Sequence, residues 1–277
     1  MVRSNTLSRF EQKRNVWFAS PTRFDGMVRQ FRKALQGAAA CIVVLLASAH
    51  ADVVTLQILQ TTDIHGYCEW SDELDTGGGW LRIASLIKRE RSRFGTQRTL
   101  LIDCGDTAQG TLIALLSRGQ VAVDLLKHLE YDVWVPGNHE LDYGIPRLYE
   151  MCREMAPRVL CGNLTILRDA AEYRLPAWRM FERGGARVAV IGAEASYLDQ
   201  WFWGHAFREY RVTTAKEMLA RVMPAVLANE PDMIILATHQ GWLPRDPRQV
   251  NEIKGLAIRF PEIDLILGGH TPWEHAG

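Results

Sequence analysis

The stretch from Val133 to Gly144 constrains the fold of this chain more than any other. It opens with the apolar run Val-Trp-Val, which predicts a short buried strand, and the Pro-Gly pair that follows ends the strand. The next polar residues must therefore lie on a loop just beyond the carboxyl end of the strand. Open α/β sheets bind their ligands at this edge. The polar residues on the loop are Asn138, His139, Glu140 and Asp142.

An apolar run that leads directly into Asp or His occurs four more times along the chain. The runs are Leu56–Thr62, Leu100–Cys104, Met233–Thr238 and Leu265–Leu267. The polar side chains that follow these runs are Asp63, His65, Asp106, His239 and His270. Helical patterns separate most of the strands, and one Gly-Gly hairpin adds an antiparallel pair, so the sequence predicts an α/β domain with mixed sheets. The polar set at the strand ends is typical of metal ligands.

Charge separates the beginning of the chain from the rest. The 277 residues carry no formal net charge, but residues 1–51 hold eight basic and two acidic side chains. The remainder holds 24 basic and 30 acidic residues and is therefore negative. A negatively charged domain binds polyanions poorly, which argues against a nucleic acid polymer as partner.

The basic surplus belongs to a predicted leader, residues 1–51. Within residues 27–51, basic residues precede the apolar run Ala38–Ala47, and an Ala-His-Ala pattern ends at Ala51. This order is typical of a signal peptide, so we predict cleavage between Ala51 and Asp52 and a secreted or periplasmic protein. The run is too short for a membrane-spanning helix, which needs about 20 residues. Residues 1–26 suggest an over-extended start, and an uncleaved N-terminal anchor is the alternative.

Four cysteines follow the predicted cleavage site: Cys68, Cys104, Cys152 and Cys161. No Cys-x-x-Cys pair occurs among them, so a structural zinc site of that type is not indicated. Buried free thiols are the default expectation. In an oxidising compartment Cys152 could pair with Cys161, and the sequence leaves their disulfide state open.

The polar side chains form a plausible donor set for two cations. A single His or Asp at a strand end is usually structural, so the argument rests on their coincidence. Asp63 and His65 are two residues apart and can hold one cation from an extended segment, while the carboxylate of Asp106 can bridge it to a second. Further oxygen and nitrogen donors come from Asn138, His239 and His270. Such donors suit Mn, Zn, Fe or Co better than Ca or Mg.

Two cations roughly 3.5–4 Å apart can clamp the attacking and leaving oxygens of a phosphoryl transfer and supply a hydroxide near neutral pH. His139 directly follows Asn138 and should point across the site instead of at the cations. A protonated His139 could stabilise developing charge or protonate the leaving oxygen, with Asp142 orienting the ring.

The chain resembles the calcineurin-like metallophosphoesterases, in particular the secreted 5′-nucleotidase and UDP-sugar hydrolase branch. The motifs that carry the resemblance are Asp63-Ile-His65, Gly105-Asp106, Gly137-Asn138-His139-Glu140, His239 and Gly268-Gly269-His270. The resemblance covers residues 52–277, and it implies a four-layer α/β/β/α sandwich of two mixed sheets with a dinuclear metal site at strand ends. It also implies that Asp63, His65 and Asp106 bind one metal and that Asp106, Asn138, His239 and His270 bind the other. His139 and Asp142 match the family's catalytic dyad.

The chain departs from the family pattern at two places. Pro272 stands where the family has a side-chain ligand, and Pro offers none. His275 is a possible substitute ligand, although a terminal histidine without a role is the simpler expectation. Family members of this branch also continue into a nucleotide-binding C-terminal domain, so we expect residues 52–277 to be a truncated metallophosphoesterase domain.

The expected function is a metal-dependent phosphoester hydrolase that acts on nucleotides or related small phosphate esters through a hydroxide activated by two metals. Pro272 and the expected truncation motivate one alternative, a non-catalytic or degenerate metal-binding fragment. The other alternative keeps the enzyme but changes the substrate, to cyclic nucleotides or a sulfur-containing compound. The sequence alone leaves the substrate, the metals and the oligomeric state open.

Overall fold

The computed structural model describes residues 53–68, 79–198, 209–242 and 251–271, together with the backbone of residues 3–6. The predicted signal peptide, Pro272 and His275 lie outside these residues, so the expectations for them stay predictions. The elements below belong to one compact unit formed by residues 1–8 and 54–277.

The first sheet contains the strands that lead into Asp63, Asp106 and Asn138. Its strands, in spatial order, are β1 (Arg3–Thr6), β2 (Gln57–Thr61), β3 (Thr99–Asp103) and β4 (Val133–Trp134). Strands β2, β3 and β4 are parallel, and β1 pairs with β2 in the antiparallel direction. The parallel arrangement brings the three polar strand ends to one edge, as the sequence predicted.

The second sheet contains the strands that lead into His239 and His270. From one edge to the other, its strands are β11 (Leu265–Leu267), β10 (Met233–Thr238), β8 (Ala186–Ala193) and β7 (Trp178–Arg183). Strands β8, β10 and β11 are parallel, and β7 is antiparallel to β8. Gly184 and Gly185 form the turn between β7 and β8 with φ of 59° and 89°, values that favour glycine. Both sheets are therefore mixed, as expected.

The two sheets pack face to face through alternate apolar side chains. Residues on one face of each strand join a single buried cluster, to which the first sheet contributes Ile58, Leu100, Ile102 and Val133 and the second contributes Val188, Val190, Ile235 and Ala237. Intervening residues point to the outer faces, as the pleat of a strand requires. This inter-sheet core holds the two sets of strand ends in a fixed relation.

Helices cover both outer faces. On the first sheet lie α1 (Trp80–Phe94), α3 (Gln120–His128) and α4 (Ile145–Met155), with Ile83, Leu126 and Leu148 in the core beneath them. On the second sheet lie α5 (Ala215–Ala228) and α6 (Ile253–Arg259), with Leu219 and Leu256 in a separate core. A short helix, α2 (Leu112–Leu116), connects β3 to α3. The layers follow the order α/β/β/α, which confirms the predicted fold class.

Local details differ from the sequence expectations. The apolar run Leu56–Thr62 forms a strand only over Gln57–Thr61, and Val159 forms a single bridge with Trp134. A third, antiparallel sheet was not predicted. It is formed by β5 (Leu164–Arg168), β6 (Ala171–Arg174) and β9 (Tyr210–Val212). Its pairing joins segments far apart in the chain, which local patterns do not report.

The described cysteines and helices bear on two further expectations. Cys104, Cys152 and Cys161 are buried and are not joined by disulfides, in agreement with the expected free thiols. Within the described residues, no helix has both the length and the apolar character needed to cross a membrane.

Candidate metal centre

The strand ends of the two sheets bring five of the six expected metal ligands into two overlapping groups. The ligand atoms of Asp63, His65 and Asp106 lie within 4.8 Å of one another. Those of Asp106, His239 and His270 satisfy the same limit. Asp106 belongs to both groups, so they share its carboxylate.

Four of these residues have left-handed backbones, which is rare for residues other than glycine. The φ angles are 53° at Asp63, 52° at His65, 54° at Asp106 and 72° at His270. Hydrogen bonds between the loops hold this conformation: Asp63 N–H donates to Gly105 O at 2.9 Å, and His65 N–H donates to Asp106 O at 2.9 Å. Strained backbones of this kind cluster at functional sites, where the surrounding structure maintains them.

Glycine allows the β3 and β4 loops to approach each other closely. A side chain at Gly137 would collide with Asp106 Oδ1, and one at Gly105 would collide with the backbone of Gly137. Gly105 also has a φ of 89°. The two loops can therefore place Asp106 and Asn138 side by side only with glycine at these positions.

Glu140 acts on the backbone of the site instead of on a cation. Its Oε1 accepts hydrogen bonds from the N–H groups of Thr107 (2.8 Å) and Ala108 (2.9 Å), and its Oε2 accepts from those of Asp106 (2.9 Å) and Gly137 (2.5 Å). Burial raises the pKa of this carboxyl, the nearby Asp106 adds to the rise, and the N–H donors oppose it. Glu140 therefore ties the β3 loop to the β4 loop. The sequence placed it in the polar cluster but carried no signal for this role.

Buried polar atoms of Asn138 and of the second group fit a divalent cation. Among the described residues, Asn138 Oδ1 and His239 Nε2 are buried and have no hydrogen-bond partner. His239 Nδ1 lies 2.6 Å from Cys104 O, so Nδ1 carries a proton that it donates to this carbonyl, and Nε2 faces the site. Nε2 lies 3.0 Å from Asp106 Oδ2, within ion-pair range but not aligned as a hydrogen bond. These oxygen and imidazole donors suit a transition-metal dication.

Other contacts hold Asp63 and Asp106 in place. Both oxygens of Asp63 accept from the N–H of His270, at 3.1 and 3.0 Å, and Oδ2 also accepts from Thr62 Oγ1 at 2.5 Å. Burial alone would raise the pKa of Asp106, but the facing His239 lowers it to about 2. The carboxylate shared by the two groups is therefore ionised at neutral pH. Thr62 and the carbonyl of Cys104 were not predicted, and nothing distinguishes them in the sequence except their position beside ligands.

His139 and Asp142 form a pair beside the two groups, as expected. His139 Nδ1 lies 2.8 Å from Asp142 Oδ2, and the backbone N–H of His139 donates to Asp106 Oδ1 at 2.8 Å. The His139 ring packs edge to face on His65, with centroids 5.3 Å apart. Its side chain is 35% exposed, and the hydrogen bond to Asp142 raises its pKa. The ring is thus oriented, partly open to solvent and biased toward the protonated form.

Comparisons with known proteins agree with this geometry. The family model for calcineurin-like phosphoesterases matches residues 56–274. A snake venom 5′-nucleotidase from Naja atra is 27% identical over 229 residues, which make up 78% of this chain and 41% of that protein. A 2′,3′-cyclic-nucleotide 2′-phosphodiesterase/3′-nucleotidase from Salmonella typhimurium is 24% identical over 250 residues, 82% of this chain and 38% of that protein.

A solved structure supports the fold. The calcineurin-like phosphoesterase from Bacillus subtilis superposes with a TM-score of 0.67 at 24% identity, over 80% of this chain and 74% of that one. This chain spans only about two fifths of the curated relatives it matches, 41% and 38% of their lengths in the two cases above. The family match covers most of the chain and includes every strand end that contributes to the two ligand groups. The chain therefore belongs to the calcineurin-like phosphoesterase family.

Proposed function

We propose that this chain is a metal-dependent hydrolase of phosphate esters that acts on nucleotides or related small phosphate esters. The observation that carries the proposal is that two groups of donors share the carboxylate of Asp106. Within each group, the ligand atoms lie within 4.8 Å of one another. A shared carboxylate could hold two cations close together, and such a pair can clamp the attacking and leaving oxygens of a phosphoryl transfer.

The proposed cofactor is a pair of divalent cations. Members of the family use divalent metals, and the donors in this chain fit them. Asp63, His65 and Asp106 would hold the first cation, and the second would be held by Asp106, Asn138, His239 and His270. When bound, the pair would neutralise charge on the phosphoryl oxygens and activate a water nucleophile. Because three imidazoles contribute, we infer Mn, Zn, Fe or Co in preference to Ca or Mg.

His139 is the proposed proton donor. Its Nδ1 is engaged by Asp142, which leaves Nε2 for the substrate, and the raised pKa keeps the ring protonated to higher pH. A protonated imidazole can donate to the leaving oxygen as the ester bond breaks. Asp142 orients the ring and favours its charged form. Glu140 supports the same loop by holding Gly137, the residue before Asn138.

The substrate class rests on the relatives. One is named a 5′-nucleotidase, and the other a 2′,3′-cyclic-nucleotide 2′-phosphodiesterase/3′-nucleotidase. The negative charge of residues 52–277 argues for a small ester over a nucleic acid polymer. Cyclic nucleotides are the second candidate substrate, because the second relative is named for their hydrolysis.

The purified protein tests this proposal after metal removal by EDTA. We expect hydrolysis of p-nitrophenyl phosphate to return when Mn²⁺ or Zn²⁺ is added, and a panel of nucleoside monophosphates and 2′,3′-cyclic nucleotides to separate the two substrate candidates. A folded sample that binds metal but shows no metal-stimulated turnover would favour the non-catalytic alternative.

We also propose that the protein is exported and begins at Asp52 after cleavage. The basic and apolar segments of residues 27–51 and the Ala-His-Ala pattern support this proposal. Cleavage there would remove β1, which pairs with the edge of β2. N-terminal sequencing of the protein recovered from the periplasm or medium checks the site. His275 stays a possible extra ligand of the first cation, and calorimetric metal titration of His275→Ala tests it.

A further inference from the structure

Glu194 directly follows β8, at the end of the sheet that carries the ligand groups, and lies beside His239. Ala193 pairs with Thr238 in the parallel register of β8 and β10, and His239 N–H donates to Ala193 O at 3.0 Å. Val188 and Val190 point between the sheets, whereas Ala189, Ile191 and Ala193 face the outer helices. This alternation turns the Glu194 side chain back toward the space between the sheets, on the same side as His239.

The carboxyl group of Glu194 is buried without a hydrogen-bond partner. Its residue is 0% exposed, and within the described residues neither Oε1 nor Oε2 accepts a hydrogen bond. The N–H of Ala195 is near enough to favour the charged form but is not aligned as a donor. In the described part of the chain, no Lys or Arg forms an ion pair with Glu194. A carboxylate buried in this way is strongly disfavoured relative to the neutral acid unless a positive charge compensates it.

Hydrogen bonds to Asn163 fix the backbone of Glu194, so the side chain stays in the interior. The Asn163 side chain accepts from the N–H of Glu194 at 2.8 Å and donates to its carbonyl oxygen at 2.8 Å. Asn163 is itself buried and also donates to Thr213 O at 3.1 Å. The chain therefore fixes a carboxyl group at a position where no described group donates a well-aligned hydrogen bond to it.

The two ligand groups carry fewer negative charges than two divalent cations would bring positive charges. Two divalent cations bring four positive charges, whereas the two donor groups contain only the carboxylates of Asp63 and Asp106. Glu140 is also buried nearby, but backbone N–H groups already satisfy both of its oxygens. Among the described residues, Glu194 is a buried carboxyl beside His239 that accepts no hydrogen bond, so its charge can offset positive charge on that side of the site.

We propose that Glu194 is a positioning residue of the metal centre, whose carboxylate offsets charge on the His239 side of the second cation site without belonging to either ligand group. This inference rests on the proposed two-cation function. It predicts that the Glu194 carboxylate favours cation binding and does not stabilise the metal-free protein.

The test compares the wild-type chain with Glu194→Gln, which keeps the shape and removes the charge, and with Glu194→Asp, which keeps the charge. Glu90→Gln is the matched control, because Glu90 is a buried glutamate on α1 that is paired with Gln57 and Arg89. Each protein is freed of metal with EDTA and then titrated with Mn²⁺ by calorimetry. Melting temperatures are measured with and without Mn²⁺.

For Glu194→Gln we expect Mn²⁺ affinity to fall about 10–100-fold at one of two sites, the usual effect of losing a group that supports a ligand. We expect an unchanged or higher melting temperature without metal and a smaller rise when Mn²⁺ is added. Glu194→Asp should recover part of the affinity, and Glu90→Gln should bind as wild type does. Equal Mn²⁺ affinity in wild type and Glu194→Gln would overturn this inference alone. A Glu194→Gln protein that fails to fold without metal would also overturn it, whereas a wild-type protein that binds no cation would refute the proposed function as well.

Discussion

Replacement of Glu140 by Gln tests how the site loops are held. Glu140 is fully buried, and each of its carboxylate oxygens accepts two backbone N–H groups. Gln keeps the size of the side chain but turns one acceptor oxygen into an NH₂ donor. Two of the four N–H groups therefore lose their acceptor and face another donor, while they stay buried.

The contacts set the expected magnitude. Each buried group left without a partner costs about 1–3 kcal/mol, so Glu140→Gln should lower the free energy of unfolding by about 2–6 kcal/mol. Since domains are stable by only about 5–15 kcal/mol, the loss is a large fraction of the total. If Oε2 becomes the NH₂ group, the affected N–H groups are those of Asp106 and Gly137. If Oε1 does, they are those of Thr107 and Ala108. The loop that carries Asp106 should loosen in either case.

Urea unfolding of the EDTA-treated proteins at pH 8 measures this loss without a contribution from metal. The control is Glu150→Gln, which removes an ion pair with Arg147 from a side chain that is 55% exposed. An exposed pair of this kind contributes about 0–1 kcal/mol. If Glu140→Gln loses no more stability than Glu150→Gln, the four hydrogen bonds do not hold the loops and the reasoning is wrong.

Three further predictions concern the chemistry of the site. Asp106→Asn should lose more bound metal than any other single ligand change, because Asp106 belongs to both donor groups; elemental analysis checks this, and retention of two metals would contradict the bridge. His139→Ala should keep its metal but lower turnover by about 10²–10⁴-fold, with a smaller defect on p-nitrophenyl than on alkyl phosphates; equal defects would argue against proton donation. Asp142→Asn should move the alkaline limb of the pH–kcat/KM profile to lower pH, because the hydrogen bond that His139 donates to Asp142 raises the pKa of His139 and so preserves its protonated form; an unchanged limb would exclude His139 as the group that titrates.

Much of the fold and most of the site were predictable from the sequence because they depend on local patterns. Apolar runs that end in Asp or His report both a strand and the side chain delivered at its end. Helical spacing between the runs predicts layers around the sheets, and the observed α/β/β/α order agrees. The expected ligands Asp63, His65, Asp106, His239 and His270 were identifiable for the same reason, since each directly follows its strand or lies within a few residues of it.

Tertiary structure decided how these residues act on one another. The packing of the two sheets determines that Asp106 is shared, that His239 Nδ1 meets Cys104 O 135 positions earlier in the chain, and that Glu140 accepts N–H groups 32 to 34 residues away. The same packing buries Glu194 beside His239. A sequence pattern reports the neighbours of a residue along the chain. Whether a buried carboxylate accepts backbone N–H groups, as at Glu140, or accepts no hydrogen bond from the described residues, as at Glu194, depends on strands that meet only in the folded protein.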